Sequence, residues 1–234
     1  MKQTIYTVGH SNQSAEEFLQ LIISHGINCI IDVRSTPYSK YTPQFNEAIL
    51  KSFLSQHAIL YAPFGKHFGA RRNDCLHEVE ITKKGETITQ RQVDFEMGIK
   101  TKAFLEGVER IKVALSQGRK IAFMCSEADP LSCHRFSFIS RFFYENGFEM
   151  LHIIRSNKTG ESVTMTHQEL ESQMINDYVA HHKLNPIASQ ASYLSFDFGE
   201  DTYDQNDQRV DAYRLKNREI GWFASEEENN FDSH

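Results

Sequence analysis

The chain has 234 residues, of which 40% are hydrophobic and 24% charged, and a formal net charge of −6. That fits one large globular domain, or a domain with an appendage, and excludes a chain-wide basic field for bulk nucleic-acid binding. No stretch approaches the ~20 apolar residues of a membrane-spanning helix, and four cysteines in a chain this long make no disulfide framework.

The opening MKQTIYTVGHS lacks the apolar run of a leader and reads as a strand over 4–8 that ends at Gly9-His10-Ser11. The expectation is a cytoplasmic protein with no membrane partner. Ser14, with Glu17 three residues on, has the form of a capping box. Phe18, Leu21 and Ile22 then repeat at helical spacing until Gly26. Residues 29–33 are apolar on both faces until Asp32, which suits a buried parallel strand, and Cys29 within it reads as an inert core residue. This strand ends in Asp32-Val33-Arg34-Ser35-Thr36-Pro37. A polar loop with Pro43 follows, then a helix over 45–56 carrying Ile49, Leu50, Phe53 and Leu54, then a short strand over 59–63.

Residues 65–97 are charged and show little apolar periodicity, so they read as a long insertion or lid. Helical spacing returns over 101–116, with Phe104, Leu105, Val108, Ile111 and Leu115 on one face. A fourth strand occupies 121–124, a helix about 132–146, and a fifth strand 149–154. This alternation predicts an α/β fold: an open, mostly parallel, Rossmann-like sheet of about five strands with helices on both faces. The α/β domain is expected to cover 1–155. Residues 156–234 form an acidic, partly irregular C-terminal extension with one helix over 167–178. Its last part, 201–234, holds nine acidic and four basic residues and few aliphatics, a poor basis for a core. Trp222 and Phe223 are its candidates for docking on the domain or on a partner.

Parallel strands present their carboxyl ends on one rim, where open α/β sheets take ligands. That rim collects His10 and Ser11, Asp32 and Arg34, and Cys125, Ser126 and Glu127. The next helix starts there with Cys133-His134-Arg135. Cys133 is the candidate nucleophile, its thiolate favoured by the helix end and by Arg135. Glu127 and His10 are the candidates for moving protons. Arg34 and Arg135, with the helix N-terminus, are placed to hold a phosphate or carboxylate. Ser11, Asp32, Cys125, Ser126 and His134 complete the expected ligand-binding set. Each has a plainer alternative: a core thiol at Cys125, a turn histidine at His10, a structural ion pair of Asp32 with an arginine, a structural salt bridge at Arg135.

No metal is assigned. There is no C-x2-C or H-x3-H pair, and adjacent Cys133 and His134 would point about 100° apart on a helix. Phosphate-loop and dinucleotide fingerprints are absent, so no cofactor is assigned. The expected partner is a small anionic ligand. Nucleic acid is weakly indicated by Lys66, His67, Arg71 and Arg72, with no aromatic stacking platform beside them. The expected function is binding and processing of a phosphorylated or nucleotide-like ligand. The alternatives are a non-catalytic nucleotide-sensing module, and a thiol- or metal-based site at Cys125 and Cys133.

With these residues assembled, the chain resembles the domain of unknown function 488 family. The matching stretches are Thr7-Val8-Gly9-His10-Ser11, Asp32-Val33-Arg34-Ser35-Thr36-Pro37 with Ser39, Tyr61, and Cys125-Ser126-Glu127 followed by Cys133-His134-Arg135. His152-Ile153 fits the family's closing strand, and the resemblance spans 3 to about 155, with His167 beyond it. One departure is Phe68-Gly69-Ala70, where the family has a Leu-Gly-Gly-like turn. The resemblance implies an α/β fold with these motifs on one rim and implies no particular reaction.

Overall fold

A computed structural model describes residues 2–83, 85–156, 159–184 and 205–225. Five parallel strands form the centre of one sheet: β1 (Thr4–Gly9), β2 (Cys29–Asp32), β3 (Leu60–Pro63), β6 (Ile121–Cys125) and β7 (Glu149–Arg155). All five expected strands are present. A sixth, β8 (Ser162–Thr166), pairs antiparallel with β7 at the edge, giving the order β3-β2-β6-β1-β7-β8. The expected α/β, Rossmann-like architecture holds.

The order follows from burial. Along β2 and β6, neighbouring residues face opposite cores, as a strand's alternation requires. Ile31 and Phe123 join a cluster with Phe68, Phe104, Phe138 and Phe143. Ile30, Ala122 and Met124 join another with Phe18, Ile22, Leu50 and Leu54. Helices therefore cover both faces. On one side lie α1 (Ala15–Ser24), with the capping box of Ser14 and Glu17 in place, and α2 (Glu47–Gln56). On the other lie α5 (Lys102–Ser116) and α6 (Arg141–Glu145), the latter preceded by a π-helical stretch, Arg135–Ser140. Fully burying each phenylalanine contributes about 1.5–3 kcal/mol, so this aromatic cluster is a main source of stability. Leu105, expected on the buried face of α5, is 44% exposed.

The expected insertion or lid over 65–97 holds regular structure. After a short helix, α3 (Gly65–Phe68), the antiparallel strands β4 (Leu76–Lys83) and β5 (Glu86–Val93) form a hairpin, with Gly85 at φ 85° in its turn. One more short helix, α4 (Phe95–Gly98), leads into α5. The hairpin has no helical period because its period is two, and its exposed faces carry charge rather than apolar residues.

The C-terminal segment also packs. α7 (His167–Leu184) and α8 (Gln205–Ile220) follow β8. Ala212 and Tyr213 of α8 are buried with Leu170, Met174 and Phe136 in a third cluster. Val93 N–H donates to the Trp222 carbonyl at 2.9 Å, and Phe223 bridges Gln92. The expected docking of Trp222 and Phe223 is therefore on the hairpin of the same chain. The acidic run at 226–228 lies outside the described residues.

A chain of buried polar groups crosses this third cluster. Thr7 Oγ1 lies 2.8 Å from His152 Nδ1, His152 Nε2 3.3 Å from His167 Nδ1, and His167 Nε2 2.9 Å from Tyr213 Oη. Tyr213 donates in turn to Glu171 at 2.7 Å. One tautomer at each imidazole satisfies every link: each group donates once along the chain toward Glu171.

Candidate functional site at the carboxyl rim

β6 lies between β2 and β1, so its last residue, Cys125, sits at the middle of the rim. The ends of its neighbours are tied to it. His10 N–H donates to Cys125 O and Ser11 N–H to Ser126 O, both at 2.9 Å, and Val33 N–H to Met124 O at 3.0 Å. Ser11 adopts φ 48°, a left-handed conformation uncommon outside glycine. Gly9 has a steric reason: a Cβ there would lie inside the contact radius of the Glu127 carbonyl oxygen. The loops after β1 and β6 thus approach as closely as backbone permits.

Asp32 and Arg34 form a buried ion pair, with Arg34 Nε 2.9 Å from Asp32 Oδ1. Tyr61 donates to the other carboxylate oxygen at 2.6 Å. Arg34 also donates to Phe45 O at 2.7 Å and to His10 Nε2 at 3.1 Å. His10 Nδ1–H then donates to Ser11 O at 2.8 Å, and the ring stacks on Phe45. Burial, with the Arg34 charge beside it, lowers the His10 pKa to about 4, so this imidazole is neutral at pH 7. Burial, followed by the Asp32 charge, pushes the Tyr61 hydroxyl up. Burial works against the Arg34 charge, but the Asp32 hydrogen bonds outweigh it and raise its pKa. All three nitrogens of the Arg34 fork are engaged, which is the arrangement of a frame for the rim.

Arg135 is fully buried and turned away from the cleft. Its Nη1 donates to Glu127 O at 2.6 Å and its Nη2 to Ala128 O at 2.9 Å. It pins the loop after β6 from behind.

The remaining groups converge. Cys133 is extended (φ −138°, ψ 141°), between a 3-10 turn, Pro130–Ser132, and the helix that His134 opens. The expected 100° separation on one helix does not apply, because Cys133 precedes the helix. His134 Nδ1 lies 3.7 Å from Cys133 Sγ and 3.9 Å from Cys125 Sγ. Its Nε2 faces Val33 O at 3.2 Å, so Nε2 carries the proton of the neutral ring and Nδ1 is the lone-pair nitrogen. Cys125 donates to Glu127 Oε2 at 3.0 Å. Arg135 N–H points to Cys133 Sγ at 3.5 Å. Burial opposes a thiolate at Cys133, but the Cys125 thiol, Arg135 and His134 together hold its pKa well below the ordinary value. The hydrogen bond with Cys133 and burial push Cys125 the other way, up. For His134 burial is outweighed by the Cys133 charge, and the imidazole pKa rises.

A cavity of about 200 Å³ opens over these groups. Its lining includes Arg34, Cys125, Ser126, Glu127, Cys133 and His134. Those six expected site residues share one cleft. His10 and Asp32 stand behind Arg34, and Arg135 behind the loop. The sequence reading missed Ser132, Ala70 and Ile220 as lining residues; it had Ser35 and Thr36 only as motif letters and Arg71 only as part of a basic cluster. That cluster is not one surface. Arg72 pairs with Asp74 and donates to Thr101, and His67 is buried against Ala103 O and Arg110. The signal for Arg71 was its place after Gly69, which brings its N–H to Ser35 Oγ at 2.8 Å. Nothing in the sequence of α8 marked Ile220.

An open, mostly parallel α/β sheet carrying a thiol–imidazole–carboxylate cluster on its carboxyl rim defines the class of this protein. The model of the family described as domain of unknown function DUF488 matches residues 14–141, more than half of the chain, and the chain belongs to that family. No curated protein and no solved structure matches it. The matched segment includes Asp32, Arg34 and the whole Cys125–Arg135 stretch, while His10 lies just upstream of it.

Proposed function

We propose that the rim cleft binds a phosphorylated or nucleotide-like ligand and that the protein acts chemically on it. The observation that carries this reading is the make-up of one cavity. Two thiols, an imidazole and a carboxylate form its floor, while Arg71 and the hydroxyls of Ser35, Thr36 and Ser132 stand around it. A floor of reactive groups beneath a cationic, hydroxyl-rich rim suits an anion presented for reaction. Ser35, Thr36 and Arg71 also line a neighbouring cavity of about 560 Å³ with Trp222 and Phe223. Aromatic side chains beside an arginine suit a base or another flat ring attached to that anion. In this reading Arg71 is the cation that meets the ligand, and Arg34 and Arg135 hold the floor in shape. Cys133, His134 and Glu127 supply the chemistry, with His10 fixing Arg34 from behind.

The test is a thermal-shift screen of the full chain with inorganic phosphate, nucleoside mono- and diphosphates and dinucleotides, followed by mass analysis of the ligand. The expected result is stabilisation that grows with ligand concentration, a new product mass, and loss of the shift in Arg71→Ala. If none of these anions shifts the transition, the reading fails. Stabilisation with an unaltered ligand would instead favour a sensing module without turnover.

A further inference from the structure

We infer that Cys125, Cys133 and His134 form a zinc-binding centre on the floor of the cleft, with three protein ligands and a fourth position open to the cavity. Their ligand atoms, two Sγ and one Nδ1, all lie within 4.8 Å of one another. Tetrahedral zinc with Zn–S of about 2.3 Å and Zn–N of about 2.0–2.1 Å sets S···N edges at about 3.6 Å. The edges found are 3.7 Å to Cys133 and 3.9 Å to Cys125. The two S···N edges close with movements of tenths of an ångström, and the S···S edge, which lies within 4.8 Å, closes to about 3.8 Å at zinc, within side chains that share one loop and one helix start.

Three further observations agree. First, the tautomer is set: Nε2 faces Val33 O at 3.2 Å, which directs the Nδ1 lone pair at the two thiols. Histidine ligands of metals are oriented by this kind of backbone contact on the other nitrogen. Second, the donors are two sulfurs and an imidazole, a set that suits zinc and disfavours magnesium or calcium, which take oxygen. Two thiolates also neutralise a divalent ion, so the loaded centre carries no net charge into a buried site. Third, the three residues are nearly enclosed yet line the cavity, so an ion has a route in and a ligand can reach its free position. Three protein ligands and one open position is the pattern of catalytic rather than structural zinc. Glu127, whose Oε2 is 3.0 Å from Cys125 Sγ, stands beside that position, where it can accept a proton from a water bound there. Cys29 and Cys75 are each buried in the apolar core and belong to no such group among the described residues.

The centre rests on this triangle of side chains and not on the anion reading, so the two can fail separately. The full chain is stripped with a chelator and titrated with Zn2+ alone, then with Co2+ alone. The expected result is uptake of one ion per chain and, with Co2+, an intense thiolate-to-metal absorption in the near ultraviolet. Cys133→Ser and His134→Ala should each lose both signals, while Glu127→Gln still takes up zinc. A second measurement needs no variant: zinc should protect Cys125 and Cys133 of the unmutated chain from alkylation, with the modified sites located by mass spectrometry. No uptake of either ion, or alkylation of both residues at a rate zinc leaves unchanged, overturns the centre. Stabilisation by phosphate or nucleotides in the metal-free chain would survive that result.

Discussion

Two buried polar networks with two histidines each lie in this fold, and they differ in what they leave over. The first runs Thr7, His152, His167, Tyr213, Glu171, and every donor along it meets an acceptor. It is enclosed by Phe136, α7 and α8, and burial lowers both imidazoles, His152 well below the ordinary value and His167 to about 3. The second runs from Asp32 through Arg34 and His10 on one side of the rim, with Cys125, Cys133, His134 and Glu127 on the other. It ends on an open cavity with two sulfurs and a lone-pair nitrogen facing one another, the sulfur–nitrogen contacts at 3.7 and 3.9 Å. Buried polar groups are normally paired. The closed network meets that rule by itself and serves the fold. The open one borders a cavity that a ligand can enter, which is why the proposed function is placed there.

The sharpest way to break this contrast is His167→Ala. The substitution opens a cavity and leaves the His152 Nε2 proton without its acceptor, so stability should fall by about 3–5 kcal/mol in urea unfolding. Zinc uptake should persist in whatever fraction stays folded. If stability is unchanged, the closed network is not structural.

Acid should have the next largest effect. His10 and His167 have folded-state pKa values of about 4 and about 3, below the ordinary histidine value. The unfolded chain therefore takes up protons first. The stabilisation is fully present above about pH 6.5 and is lost as pH falls through 6.5 toward 4 for His10 and toward 3 for His167. The urea midpoint should drop by the equivalent of a few kcal/mol over that window. A flat profile between pH 6.5 and 4 would contradict two neutral buried imidazoles.

Tyr213→Phe is milder. It removes one hydroxyl that His167 and Glu171 share, with an expected cost of about 1–3 kcal/mol and no change at the cleft. The smallest effect belongs to Glu127→Gln, on the open side. Its carboxylate accepts from Cys125 and borders the cavity, so stability should move by less than about 1 kcal/mol. Turnover, once a substrate is found, should fall far more than stability. Equal losses of both would place Glu127 with the structural groups.

Much of this was legible in the sequence, for identifiable reasons. Ile30-Ile31 and Ile121–Cys125 are apolar because both faces of a central parallel strand are covered, and such runs stand out. The polar residues that end these strands mark the rim. The hairpin was not legible, because Leu76–Lys83 alternates under partial exposure and has few apolar residues to mark its period. α8 was hidden for a related reason: its sequence is polar nearly all round, and its burial through Ala212 and Tyr213 exists only once α7 and Phe136 are in place. Arg135 invited an anion-binding role because arginine at a helix start is suited to one. Its real partners are the Glu127 and Ala128 carbonyls, which depend on how one loop folds back. The convergence of Cys133 and His134 was hidden by the same dependence, since spacing rules took the two to share a helix, and a single extended residue separates the two cases.

The wall of the cleft includes Ile220, the last residue of α8, although its floor is complete by His134. The order of synthesis therefore separates the two. Cys125, Cys133 and His134 are made while the 86 residues that end at Ile220 are still to come. The wall of the cleft is completed only when Ile220, at the end of α8, takes its place.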